Sequence, residues 1–157
     1  MAEVKTKADL DCCQKTQEHI DAVAECLNEM VRLIKIRAKN HDACKLENPE
    51  FEIFSEWTPK LSSMTYGSEE YTEALKVMKP ALDHHYANSR HHPEHFKNSV
   101  QDMNLIDILE MFCDWYCSTK RMNNGNIRKS IEINQKRFGY SDDVAKILTN
   151  TIELLDK

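Results

Sequence analysis

The stretch "ALDHHYANSRHHPEHF", Ala81 to Phe96, carries five of the chain's seven histidines. Imidazole titrates near neutral pH and is the commonest protein ligand for metals. Two pairs stand out, His84-His85 and His91-His92, with Asn88 between them and His95 after them. On a helix, His85 and His92 share one face and His84 and His91 the neighbouring one. Spacing does not choose between the two sets, and His95 is expected at the surface. A second stretch, "NHDACKLENPEFEIF", sets His41 beside Asp42, with Lys45 three residues on. One imidazole nitrogen and one carboxylate oxygen, adjacent in the chain, can bind one ion or two ions bridged by the carboxylate. Asp114 lies in "LEMFCDWYC", where a carboxylate is costly unless it is paired or metal-bound. Asp107, seven residues earlier on the same face, is the alternative. His19 lies one long helix upstream of His41. Such donors suit Mn, Fe, Co, Ni or Zn more than Ca.

These residues need elements to position them, and the periodicity is helical almost throughout. There are only three glycines and four prolines, and alternating strand patterns are absent. The expected fold is all-α, a single compact helical domain over residues 1–157. A first helix spans about Lys7 to Lys39. Its stripe is Ile20, Val23, Leu27, Val31 and Ile34, with His19 on the flank, directed at the core or its edge. A second helical piece starts near His41 and is interrupted at Asn48-Pro49, and Phe51 to Trp57 continue as a short amphipathic segment. Ser68-Glu69-Glu70 reads as an N-cap and acidic first turn. It opens a long helix into the histidine cluster, which Pro80 should kink or break and Pro93 should end or redirect. A helix over about Asn104 to Arg121 follows, then a turn at Met122 to Asn126. Another helix is ended by Gly139, and Ser141 caps the last, to about Asp156.

The formal net charge of -5 argues against a general nucleic-acid binder. No window approaches a membrane span. The opening "MAEVKTKADLD" lacks an apolar signal core, so a cytoplasmic protein with reduced thiols is expected. Most of the six cysteines should then be small core residues. A homodimer is left open.

The order His19, His41-Asp42, Asp114 on an all-α chain resembles the HD-domain superfamily of metal-dependent phosphohydrolases, named for its His-Asp pair. The set "HDxxK", "PE", "HHxxNxxHH" and "EMxxDW", with the later "GNIRKSIEINQKRFG", resembles a small HD-like family of bacterial and phage proteins. The resemblance covers about His19 to Gly139. It implies that His19, His41, Asp42 and Asp114 hold a first divalent ion. It also implies that histidines of the cluster, His85 and His92 first among them, serve as extra ligands where a second ion is present. His84, His91 and Asn88 would then touch substrate or orient the ligands.

The chemistry this implies is attack of a metal-activated water on phosphorus. Lys45, one helical turn after Asp42, is the first candidate to hold phosphoryl charge, followed by Arg90, Arg121, Arg128 and Lys129. Glu47 or Glu50 would act as general base or orient the water. Trp57, Tyr66 and Tyr116 are candidates for stacking on a base, whereas Trp115 is expected in the core. The expected substrate is a small phosphorylated metabolite, with a nucleotide the leading candidate. The alternatives are an HD-fold di-iron oxygenase and a non-catalytic protein that binds metal and nucleotide.

Overall fold

The computed structural model describes residues 6–65, 68–121 and 125–156, the side chain of Ser62 aside. Among the described residues are six α-helices: α1 Lys7–Asn40, α2 Glu50–Ser62, α3 Glu69–Asn88, α4 Leu105–Lys120, α5 Ile127–Phe138 and α6 Asp142–Leu155. Short 3-10 turns occupy Ala43–Leu46, Pro93–His95 and Ser99–Asp102. No strand occurs among the described residues, as the helical periodicity requires. Nor is any described helix long and apolar enough to cross a membrane.

The chain divides into two compact units, Met1–Lys39 and Asn40–Lys157. The first is essentially α1, and none of that helix's residues is buried. His19 is therefore exposed rather than directed into a core. A stripe fixes which residues share a helix face but not what covers that face. The cysteines also depart from expectation: five are exposed, Cys44 is half-buried, and no disulfide links them. Three of the six sit on α1, which has no buried face.

In the second unit, α2 packs on α3. The buried residues of α3 are Ala74, Met78, Ala81 and His85, one face at alternating four- and three-residue steps. His85 thus takes the fourth place in a stripe whose other members are apolar. Ser68 caps α3 by accepting from the Tyr71 N–H. Pro80 neither ends nor interrupts the helix. It lies on the exposed face with Lys76, so the Lys76 carbonyl that loses its partner is solvated. The turn expected at Met122 to Asn126 falls largely outside the described residues, as does Tyr66.

The main core joins α4, α5 and α6 through Met111, Phe112, Tyr116, Ile131, Tyr140, Leu148 and Ile152. Trp115 stacks on Phe138 and Tyr140 at its margin. Each large side chain buried here stabilises the fold by about 1.5–3 kcal/mol. The other face of α4 carries Asp107, Glu110 and Asp114, at three- and four-residue steps. One helix therefore supplies both an apolar wall and an acidic stripe.

Arg90 ties the segment after α3 to the start of that stripe. Its Nε and Nη2 donate to the two oxygens of Asp107 at 3.1 and 2.8 Å. Asp107 is fully buried and also accepts from the Asn104 N–H, closing a capping box. The arginine read as a phosphate grip is thus a clamp, because a buried carboxylate demands a cation more strongly than solvent does. Arg90→Met should destabilise the protein by about 2 kcal/mol in urea unfolding, less than a wholly buried pair because the guanidinium is half in water. A loss below about 0.5 kcal/mol, the range of a surface pair, contradicts the clamp.

Candidate metal centre

The chain leaves α1 and turns sharply at Asp42, whose backbone is left-handed with φ 56°. Asp and Asn enter this region more readily than other side-chain-bearing residues, at a cost of about 1–3 kcal/mol. The carboxylate makes no cap hydrogen bond to the 3-10 turn that follows. Helix capping therefore does not account for it. Instead it faces inward, with each oxygen in a different environment. Oδ1 lies 3.3 Å from His85 Nε2 and 3.4 Å from His91 Nε2. Oδ2 accepts from Lys45 Nζ at 2.7 Å and lies 3.6 Å from His41 Nε2.

His92 completes the first set: its Nε2 is 2.9 Å from His85 Nε2. Asp42, His85, His91 and His92 each bring one donor atom, all within 4.8 Å of one another. Four ligands at about 2.0–2.1 Å around a tetrahedral ion stand about 3.3 Å apart, and neighbours in an octahedron about 3 Å. The observed separations match those edges. Asp42 Oδ1 and His91 Nε2 are moreover buried without a hydrogen-bond partner, which buried polar atoms rarely are. The residues fit a divalent transition metal.

The opposite edges of two of these rings meet buried carboxylates. His85 Nδ1 lies 3.0 Å from Glu50 Oε2, and Glu50 is fully buried. His91 Nδ1 lies 3.2 Å from Glu110 Oε1. A carboxylate on Nδ1 fixes the proton there and leaves the Nε2 lone pair free to ligate. Glu110 also holds His41 Nδ1 at 3.0 Å, and Glu50 holds His84 Nδ1 at 2.7 Å. Asp42, Glu50 and Glu110 thus surround the imidazoles with carboxylates, and Lys45 pairs with Asp42.

Without an ion, protons do part of that work. Burial pushes His91 down, but Asp42 and Glu110 outweigh it and hold the imidazole up at about 9. Burial, with His91 and His85 alongside, pushes His92 down to about 2. Burial also works to raise Asp42, yet His85, His91 and Lys45 hold its carboxyl far below the usual range. Burial pushes the Cys44 thiol up.

Placement of the expected site residues is uneven. His85, His92 and Asp42 meet, and His91 joins them, where the spacing left the pairs open. His41 stands beside them, and Asp114 Oδ1 is 3.8 Å from its Nε2. Asp107, the rival of Asp114, is engaged by Arg90 instead. His19 is in none of the converging groups. His84 is two-fifths exposed and bound to Glu50. Asn88 donates to the His84 carbonyl of its own helix. Glu47, Arg121, Arg128 and Lys129 are exposed. Arg121 reaches only Ser118. Glu50 is too enclosed to act as a solvent-facing base. Glu110 was not foreseen, although the acids at 107, 110 and 114 share one face of an otherwise apolar helix.

An all-α chain with a buried His/Asp/Glu cluster is the class that fold and site define. The family model described as "Family of unknown function (DUF5662)" matches residues 8–154, and the chain belongs to that family. No curated protein and no solved structure matches it.

The two shifted histidines set a pH signature for the metal-free protein. His92, lowered below its unfolded value of 6.5, costs stability as pH falls under 6.5. His91, raised above the same value, gives stability that is full below 6.5 and lost as pH rises toward 9. Urea midpoints should therefore peak near pH 6.5 and fall on both sides. A flat profile from pH 5 to 9 contradicts this assignment.

Proposed function

We propose that the chain is a metal-dependent phosphohydrolase acting on a small phosphorylated metabolite, with a nucleotide the leading candidate. The observation that carries the reading is the buried Asp42 oxygen facing His85 and His91 at coordination-edge distances, with Lys45 on the same carboxylate. The resemblance of the order His19, His41-Asp42, Asp114 to HD-type phosphohydrolases supports it.

Asp42, His85, His91 and His92 would hold the ion, which could be Mn, Fe, Co, Ni or Zn. When bound, it supplies a water acidified toward neutral pH and a Lewis acid for a phosphoryl oxygen. Glu50 and Glu110 keep the imidazoles in the ligating tautomer. Asp42's second oxygen and Asp114 Oδ1 lie 3.6 and 3.8 Å from the same His41 Nε2. This carboxylate–imidazole set would take a second ion on the far side of the shared carboxylate. Lys45, one-third exposed, has its ammonium at the boundary between ligand and solvent. There it can hold the negative charge of a transferring phosphoryl group. Its Nζ stands over the Phe54 ring, 5.4 Å from the ring centre, so the charge is held against an aromatic face.

The test is phosphate release from a panel of nucleoside mono-, di- and triphosphates with each candidate ion. Hydrolysis of at least one substrate should require metal and fall to background in Asp42→Ala. Lys45→Ala should keep its metal and lose turnover on the order of 100-fold. No hydrolysis of any substrate, with oxygen consumed by the iron-loaded protein instead, supports the oxygenase reading. Metal and nucleotide bound without turnover of any kind supports a binding protein.

A further inference from the structure

The reading above uses one edge of the His85 ring as a ligand, and the other edge meets a thiol. Cys44 Sγ lies 3.2 Å from His85 Nδ1. Glu50 Oε2 lies 3.0 Å from the same nitrogen. The three donor atoms, one each from the 3-10 turn at Ala43–Leu46, α2 and α3, all lie within 4.8 Å of one another. Ser89 Oγ stands 3.6 Å from the sulfur and 3.3 Å from Nδ1. Glu50 and His85 are both buried almost completely, whereas Cys44 is only half-buried. The set is therefore rigid at its base and open to solvent through the sulfur.

We infer that Cys44, Glu50 and His85 form a second cation site, selective for a thiophilic divalent ion such as zinc or cadmium. A thiolate in the donor set is what separates it from the Asp42 site, whose donors are nitrogen and oxygen only. Zinc–sulfur and zinc–nitrogen bonds of about 2.3 and 2.0 Å place the two donors about 3.5 Å apart. The observed 3.2 Å needs a shift of a few tenths of an ångström at Cys44, the least enclosed member. Coordination takes the sulfur as thiolate, its proton passing to solvent.

The two sites share one ring. A neutral imidazole has one lone pair to give. When Nδ1 is bound beside Cys44, the ring proton sits on Nε2, facing Asp42, and the first site loses a ligand. A thiophilic ion at Cys44 therefore excludes the ion at Asp42, and excess zinc would switch the first site off. This exclusion rests on the metal reading of the Asp42 set; the Cys44 site itself does not.

The experiment is cadmium titration of the full chain with Cys12, Cys13, Cys26, Cys113 and Cys117 changed to serine, its fold checked by circular dichroism. The folded protein should show the ultraviolet thiolate-to-cadmium charge-transfer band, saturating at one equivalent. Adding Cys44→Ser should abolish the band. No band from the folded Cys44-only protein, or an equal band after Cys44→Ser, overturns the site. Bound Mn²⁺, followed by electron paramagnetic resonance, should be lost as the band grows. Manganese retained at a full band overturns the exclusion but leaves the site standing. The cadmium band is read without manganese or turnover, so it decides the Cys44 site even if the hydrolase reading fails.

Discussion

Asp42 holds one carboxylate oxygen 3.3 and 3.4 Å from two imidazole nitrogens. That oxygen and the His91 nitrogen are buried without hydrogen bonds. Polar atoms taken out of water cost several kcal/mol unless something replaces the water. The surroundings answer that cost in two ways. Lys45 neutralises the other oxygen, and Glu50 and Glu110 hold the imidazoles by their far edges. What remains is a gap in ligation that a divalent cation fits.

The helices are arranged to deliver these groups. His85 reaches the site because it continues the apolar stripe of α3, so the packing that buries Met78 and Ala81 also buries the imidazole. His91 and His92 follow after a short extended break, where Arg90 anchors the chain to Asp107. Glu110 then arrives one turn along α4 and Asp114 one turn further. The core face of α4 fixes its rotation through Met111 and Phe112. A change that rotates α4 would move the acidic stripe as one body. The left-handed turn at Asp42 is the local strain in this scheme, and a strained residue at the centre of a ligand set is where such strain is usually found.

Much of this was legible in the residues. Caps at Ser68 and Ser141 and the Gly139 stop are local chemistry, so the helix boundaries could be read closely. The His-Asp pair and the histidine cluster declared a site by type and spacing. The spacing could not say which histidines converge, because His91 and His92 lie beyond the helix that a periodic argument assumes. It misplaced Arg90, since a charge reads the same whether it grips phosphate or a buried aspartate. The apolar stripe of α1 puts His19 at a core edge only if that stripe is covered, which a sequence does not show. Glu50 reads as a general base from its type and position alone, since its complete enclosure does not show in a sequence. Glu110 was readable as the middle of an acidic stripe, but only once the apolar face of α4 had been set against it.

X-ray absorption on the protein loaded with one equivalent of manganese tests the central claim most directly, that Asp42 and three imidazoles form one coordination sphere. The account predicts a shell of nitrogen and oxygen neighbours only, at about 2.0–2.2 Å, with the multiple scattering of several imidazoles. It also predicts that this pattern disappears in a folded Asp42→Ala variant. A metal that keeps the same imidazole pattern without Asp42, or a spectrum showing only water and carboxylate oxygen, would contradict it.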